Sequence, residues 1–121
     1  MSKDKNFNPE FVVKEAKLLE NTDYKSVITQ IDNLKSKYNG EHLVSIYNYL
    51  LSKSQSPDIL MHLIRLCDEH RSPSTLEFLV DLLLLRNINS EEEDIKEKFL
   101  NVRIMCAKAI GNQKNTLLNI S

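Results

Sequence analysis

An all-α fold follows from three features of the 121-residue sequence. Apolar residues recur at three-and-four spacing along most of the chain, only two glycines and three prolines interrupt it, and the apolar pattern repeats at an offset of about 32 residues. A turn-rich β fold would need far more punctuation than this. The chain is therefore expected to form one domain over 1–121, an α-α superhelix of about three stacked helical pairs. With 41% apolar residues it can bury a continuous core at this length.

Each helix has its own signal. Asn8 can cap a first helix with Pro9 at its opening position, and Phe11, Val12, Leu18 and Leu19 supply its apolar side, with a stop near Asn21. Asp23 can cap a second, whose Tyr24, Val27, Ile28, Ile31, Leu34 and Tyr38 line one face up to a stop at Asn39-Gly40. Leu43, Ile46, Tyr47, Leu50 and Leu51 define a third. Ser56-Pro57 opens a fourth carrying Ile59, Leu60, Leu63, Ile64, Leu66 and Cys67, and Ser72-Pro73 opens a fifth through the apolar run 76–85. Residues 101–112 read as the last helix, with Gly111 as its stop.

The repeat emerges when these helices are overlaid. A shift of 32 carries Phe11, Leu18 and Leu19 onto Leu43, Leu50 and Leu51, and Val27, Ile28, Ile31 and Leu34 onto Ile59, Leu60, Leu63 and Leu66. A shift of 33 carries Leu43, Ile46, Tyr47, Leu50 and Leu51 onto Leu76, Leu79, Val80, Leu83 and Leu84, whereas Ile59, Leu63, Ile64 and Cys67 reach Val102, Cys106, Ala107 and Ile110 only at 43. Stacked helical pairs produce such periods because no pair buries its face alone. The pairs fall at about 9–38, 41–70 and 73–112, with an acidic insertion at about 87–100 that contains Glu91, Glu92, Glu93 and Asp94. Ser90 can cap a short helix there, and Leu117, Leu118 and Ile120 look like the start of an incomplete fourth pair.

Residues 101–112, Asn-Val-Arg-Ile-Met-Cys-Ala-Lys-Ala-Ile-Gly-Asn, resemble the second helix of a HEAT-like repeat, which opens with Val-Arg and closes on Ala-Leu-Gly. The likeness is motif-level over about 73–112 and pattern-level elsewhere. It implies a HEAT/armadillo-like solenoid that binds other proteins. It also implies that Arg103 pairs with an acid between helices, although Asn101 replaces the usual preceding Asp. A branch of HEAT-like proteins acts as bilin lyases or phycobilisome-related chaperones, which supplies an alternative reading with bilin as ligand and His62, Arg65 and Tyr47 as its first contacts.

Charge and chemistry narrow the function. Sixteen basic residues against seventeen acidic ones leave a net charge of -1, with the lysines interleaved among acids, so neither nucleic acid nor an anionic membrane is expected as partner. His-Glu-x-x-His, paired Cys-x-x-Cys, phosphate-loop and nucleophile-elbow motifs are all absent, so no catalytic, cofactor or metal residue is assigned, and a non-catalytic adaptor or assembly factor is expected. His62 follows Asp58 by four residues and His70 follows Asp68-Glu69, so carboxylate and imidazole can meet, although the default reading is surface residues, with His70 near a helix C-terminus. Cys67 and Cys106 read as core thiols of a cytoplasmic protein. The client is expected on the concave face, with Tyr47, Tyr49, Arg65 and Arg86 as exposed contacts, the two tyrosines reading alternatively as core. The apolar tail Leu117, Leu118 and Ile120 offers a possible homodimer contact.

Overall fold

A computed structural model of the chain describes residues 7–84 and 93–120, with side chains through Gln113. The described residues form six α-helices and no strand: α1 Pro9–Glu15, α2 Tyr24–Asn33, α3 Gly40–Lys53, α4 Pro57–Glu69, α5 Pro73–Leu84 and α6 Glu93–Ile120. A 3-10 turn, Leu34–Ser36, extends α2. Each of the three prolines stands at the first position of a helix, where its missing N–H costs nothing. The Asn8 side chain accepts from the Glu10 N–H at 2.9 Å and Ser56 from the Ile59 N–H at 3.4 Å, as the capping pattern predicts. Asp23 makes no such cap; its own N–H donates to Asn21 Oδ1 at 2.8 Å instead.

Several boundaries differ from the sequence reading, each for a local reason. Helix α1 stops at Glu15, well before Asn21, because Lys17 adopts φ 55°. The Leu18 N–H then reaches Val13 O at 3.2 Å and the Lys17 N–H reaches Lys14 O at 3.1 Å, while the Leu18 and Val13 side chains are both buried. This is a Schellman closure with lysine where glycine is usual. An L-residue in that region costs about 1–2 kcal/mol, so Lys17→Gly is expected to raise stability by about 1 kcal/mol in denaturant unfolding. Asn39-Gly40 does not stop α2: that helix ends earlier, and Gly40, at φ 56°, opens α3.

The last helix departs most. Gly111 lies inside α6 and does not end it, since buried Ala109 and Gln113 on either side outweigh the ~1 kcal/mol that an interior glycine costs. Residues 93–100, where the insertion reads as a charged loop or a helical extension, are the opening turns of the same helix, with Phe99 buried and Ile95 packed on the core. Residues 113–120 continue it, so the tail extends α6 instead of starting a fourth pair. Ser90, Glu91, Glu92 and residues 87–89 lie outside the described residues.

Packing alternates along the chain: α3 contacts both α1 and α5, α4 contacts both α2 and α6, and the two sets meet through α3 with α4 and α5 with α6. Helix α1, cut short at Lys17, packs chiefly on α3 and not on α2, its expected partner. The burial pattern explains the alternation. Val27, Ile31 and Leu34 on α2, Ile59, Leu63 and Leu66 on α4, and Val102, Cys106 and Ala109 on α6 are all buried, at identical i, i+4, i+7 spacing. One apolar cluster runs through all six helices, and no described helix is long and apolar enough to cross a membrane.

Candidate interaction surface

The layer formed by α2, α4 and α6 is stitched by polar contacts between neighbouring helices. From α2 to α4, His62 Nε2 lies 2.8 Å from Asp32 Oδ1 and Lys35 Nζ donates to Glu69 Oε1 at 3.3 Å. From α4 to α6, Lys98 Nζ donates to Asp58 Oδ2 at 3.2 Å, Asn112 Nδ2 to Asp68 Oδ1 at 3.1 Å, and the buried Gln113 Nε2 to the Cys67 carbonyl at 3.3 Å. Partly exposed ion pairs of this kind contribute at most about 1 kcal/mol each, so they align helices more than they stabilise them. The Gln113 bond differs because it satisfies a carbonyl in the last turn of α4 that the helix leaves without a partner. Gln113→Ala is expected to cost about 1–3 kcal/mol in a thermal or denaturant melt.

The pairings correct the expected ones. His62 meets Asp32, thirty residues away, while Asp58 meets Lys98. His70 stands beside the Tyr47 ring at 6.1 Å between centroids, and Arg71, not His70, pairs with Asp68. Arg103 is exposed, and no ion pair of it is seen among the described residues; it borders a groove with Lys96, Phe99 and Leu100.

The expected contact residues do not converge. Tyr47 is 0% exposed: α3 is covered by α1, α4 and α5, so its ring is core and offers nothing to a partner. Burial pushes its phenol up to about 12, and no hydrogen-bond partner for its hydroxyl is seen among the described residues. Tyr49 is half-buried on the side of α3 nearest Lys14 of α1. Arg65 is exposed and lines a groove between α4 and α6 with Ile64, Asp68, Met105, Lys108, Ala109 and Asn112. Arg86 lies outside the described residues, and so do the side chains of Leu117, Leu118 and Ile120. Neither His62 nor Tyr47 lines the groove that Arg65 borders.

Two features escape the sequence reading. One is the company of Arg65, an expected contact that α6 supplies with Met105 and Lys108 across the groove from Asp68. The other is a cleft of about 660 Å³ at the start of α3, where Phe7 stacks on His42 at 4.1 Å and a chain of side chains links α3 to α5. Ser72 Oγ donates to Glu41 Oε1 at 3.3 Å, and Asn48 Nδ2 donates to Ser74 Oγ at 3.3 Å. Cys67 and Cys106 are buried free thiols, and burial pushes Cys67 up to about 12, so it stays protonated and unreactive. No group of three metal-ligating side chains gathers among the described residues. Comparison of the chain with protein-family models, with curated proteins and with solved structures returns no match.

Proposed function

We propose that this chain is a non-catalytic protein-binding module, an adaptor or assembly factor built as a short solenoid of about three HEAT-like helical pairs. The alternating helix contacts and the repeated burial of α2, α4 and α6 support the solenoid reading, as does Val102 facing the core beside an exposed Arg103. The single observation that carries the binding role is the groove between α4 and α6. Arg65 and Lys108 stand there as exposed cations beside the half-buried Met105, and Asp68, on the same lining, is held by Arg71 and Asn112. Such a surface suits a protein segment presenting a carboxylate next to an apolar side chain, because the guanidinium supplies directed hydrogen bonds while the thioether adapts to shape.

The test is affinity purification with the intact chain and with the charge-reversed double variant Arg65→Glu, Lys108→Glu. A client retained by the native chain and lost by the variant, at unchanged helical content, supports the proposal. Equal retention by both, or no client at all, contradicts it. Mixing the chain with a free bilin is the companion measurement: a shifted absorbance spectrum would transfer the assignment to a bilin-handling role.

A further inference from the structure

The cleft where α1, α3 and α5 begin has a buried carboxamide in its wall. Asn48 lines it and is 5% exposed, and no partner for Asn48 Oδ1 is seen among the described residues. The neighbouring hydrogen bonds fix which end of that carboxamide is left over. The Glu41 carboxylate can only accept, so Ser72 Oγ donates its one proton there at 3.3 Å. The contact of 3.0 Å between Ser72 Oγ and Ser74 Oγ must then be donated by Ser74. Ser74, its proton engaged, must accept from Asn48 Nδ2 at 3.3 Å. The orphan is therefore the carbonyl oxygen, and it calls for a donor.

The opposite need stands at the other end of the same lining. No side chain caps the opening turn of α3, so the N–H groups of Gly40 and Glu41 have no partner within the helix, and both residues line the cleft. A helix opening of this kind favours an anionic acceptor. Glu41, Ser45 and Asn48, four and three residues apart, share one side of α3. Asn48 stands seven residues beyond Glu41, a rise of about 10 Å, and one hydrogen bond of about 3 Å is taken up at the Asn48 end. The acceptor and the donor of a ligand that meets both needs are then roughly 7 Å apart, the length of about two extended residues and more than a single amino acid offers. Glu41 is the only carboxylate among the described lining residues and no lysine or arginine joins it, which favours a cationic donor over a neutral one.

We propose that this cleft binds a small zwitterion whose carboxylate and primary ammonium are about 7 Å apart. The carboxylate accepts from the opening N–H groups of α3, the ammonium donates to Asn48 Oδ1, and Phe7 and Pro9 supply the apolar wall between α1 and α3. The site does not rest on the Arg65 groove, which lies in the other layer, between α4 and α6.

Proton–nitrogen NMR spectra of the intact labelled chain, titrated with glycylglycine and separately with 6-aminohexanoate, read the outcome. At least one of the two is expected to shift the Gly40 and Glu41 amide signals and the Asn48 side-chain amide signals in a saturating way. A response to glycylglycine alone marks a dipeptide as the ligand, and a response to 6-aminohexanoate alone marks an ω-amino acid. Hexylamine and hexanoate, each lacking one charge, are expected to bind at least tenfold more weakly, as is glycine, which is too short. Asn48→Leu keeps the volume and removes the acceptor, and is expected to weaken binding at least tenfold at unchanged helicity by circular dichroism. No saturating shift from either probe at about 20 mM overturns the proposal, as does binding indifferent to the loss of either charge or to Asn48→Leu. Should Asn48→Leu unfold, the comparison of probes on the native chain decides alone.

Discussion

Leu63→Ala is expected to cost roughly 2–5 kcal/mol, the largest effect of any single truncation in the chain. Leu63 is 0% exposed at the middle of α4, the helix that touches α2, α3 and α6. Removing its isobutyl group forfeits the transfer energy and leaves a hole that three neighbouring helices cannot all relax to fill. A domain of this size is held by about 5–15 kcal/mol in total, so this variant should lose a substantial share of it. Urea unfolding followed by circular dichroism measures the effect; a loss below about 1 kcal/mol would mean that α4 is not the centre of the stack. The same truncation at Leu84, 69% exposed at the end of α5, is expected to change little.

Alkaline pH is expected to weaken the fold through two buried groups. The Cys67 thiol, ordinarily near 9.0, and the Tyr47 phenol, ordinarily near 10.0, are each raised to about 12 in the folded chain, chiefly by burial. The unfolded chain therefore releases these protons first. Stability from both groups is fully present below about pH 9 and falls as pH rises towards 12, with Cys67 acting first and Tyr47 from about 10. Each unit of separation is about 1.4 kcal/mol, so together they make the alkaline limb steep. Tyr47→Phe removes a buried hydroxyl with no partner among the described residues, and is expected to raise neutral-pH stability by about 1 kcal/mol and to flatten the limb between pH 10 and 12. An unchanged limb in that variant would show that Tyr47 is solvated.

Periodicity makes the helices and most of the core readable, because Val27, Ile31, Leu63 and Val102 must all face the same way for any stack to close. Local backbone choices are not readable. Nothing in Ala16-Lys17-Leu18 announces a left-handed lysine, and Gly111 carries a stop signal that flanking core residues overrule. The surface is harder still. Tyrosine suits an interface and an apolar helix face alike, and for Tyr47 the apolar face decides, since three helices close over it. The polar contacts within the α2, α4 and α6 layer do have a signal: partners stand 30 and 34 residues apart between α2 and α4, and 40 to 46 apart between α4 and α6, close to the two offsets of the apolar repeat. Polar residues one repeat apart, and not four apart on one helix, are the pairs to weigh.

The central claim is that the helical pairs stack so that α4 lies between α2 and α6. Methyl-to-methyl nuclear Overhauser contacts in a sample labelled at isoleucine, leucine and valine test it most directly. The α4 methyls of Leu60, Leu63 and Ile64 are expected to show contacts to Val27 or Ile31 on α2 and, in the same sample, to Val102 on α6. Contacts from α4 to only one of these helices, or strong contacts running directly from α2 to α6, would contradict the stack.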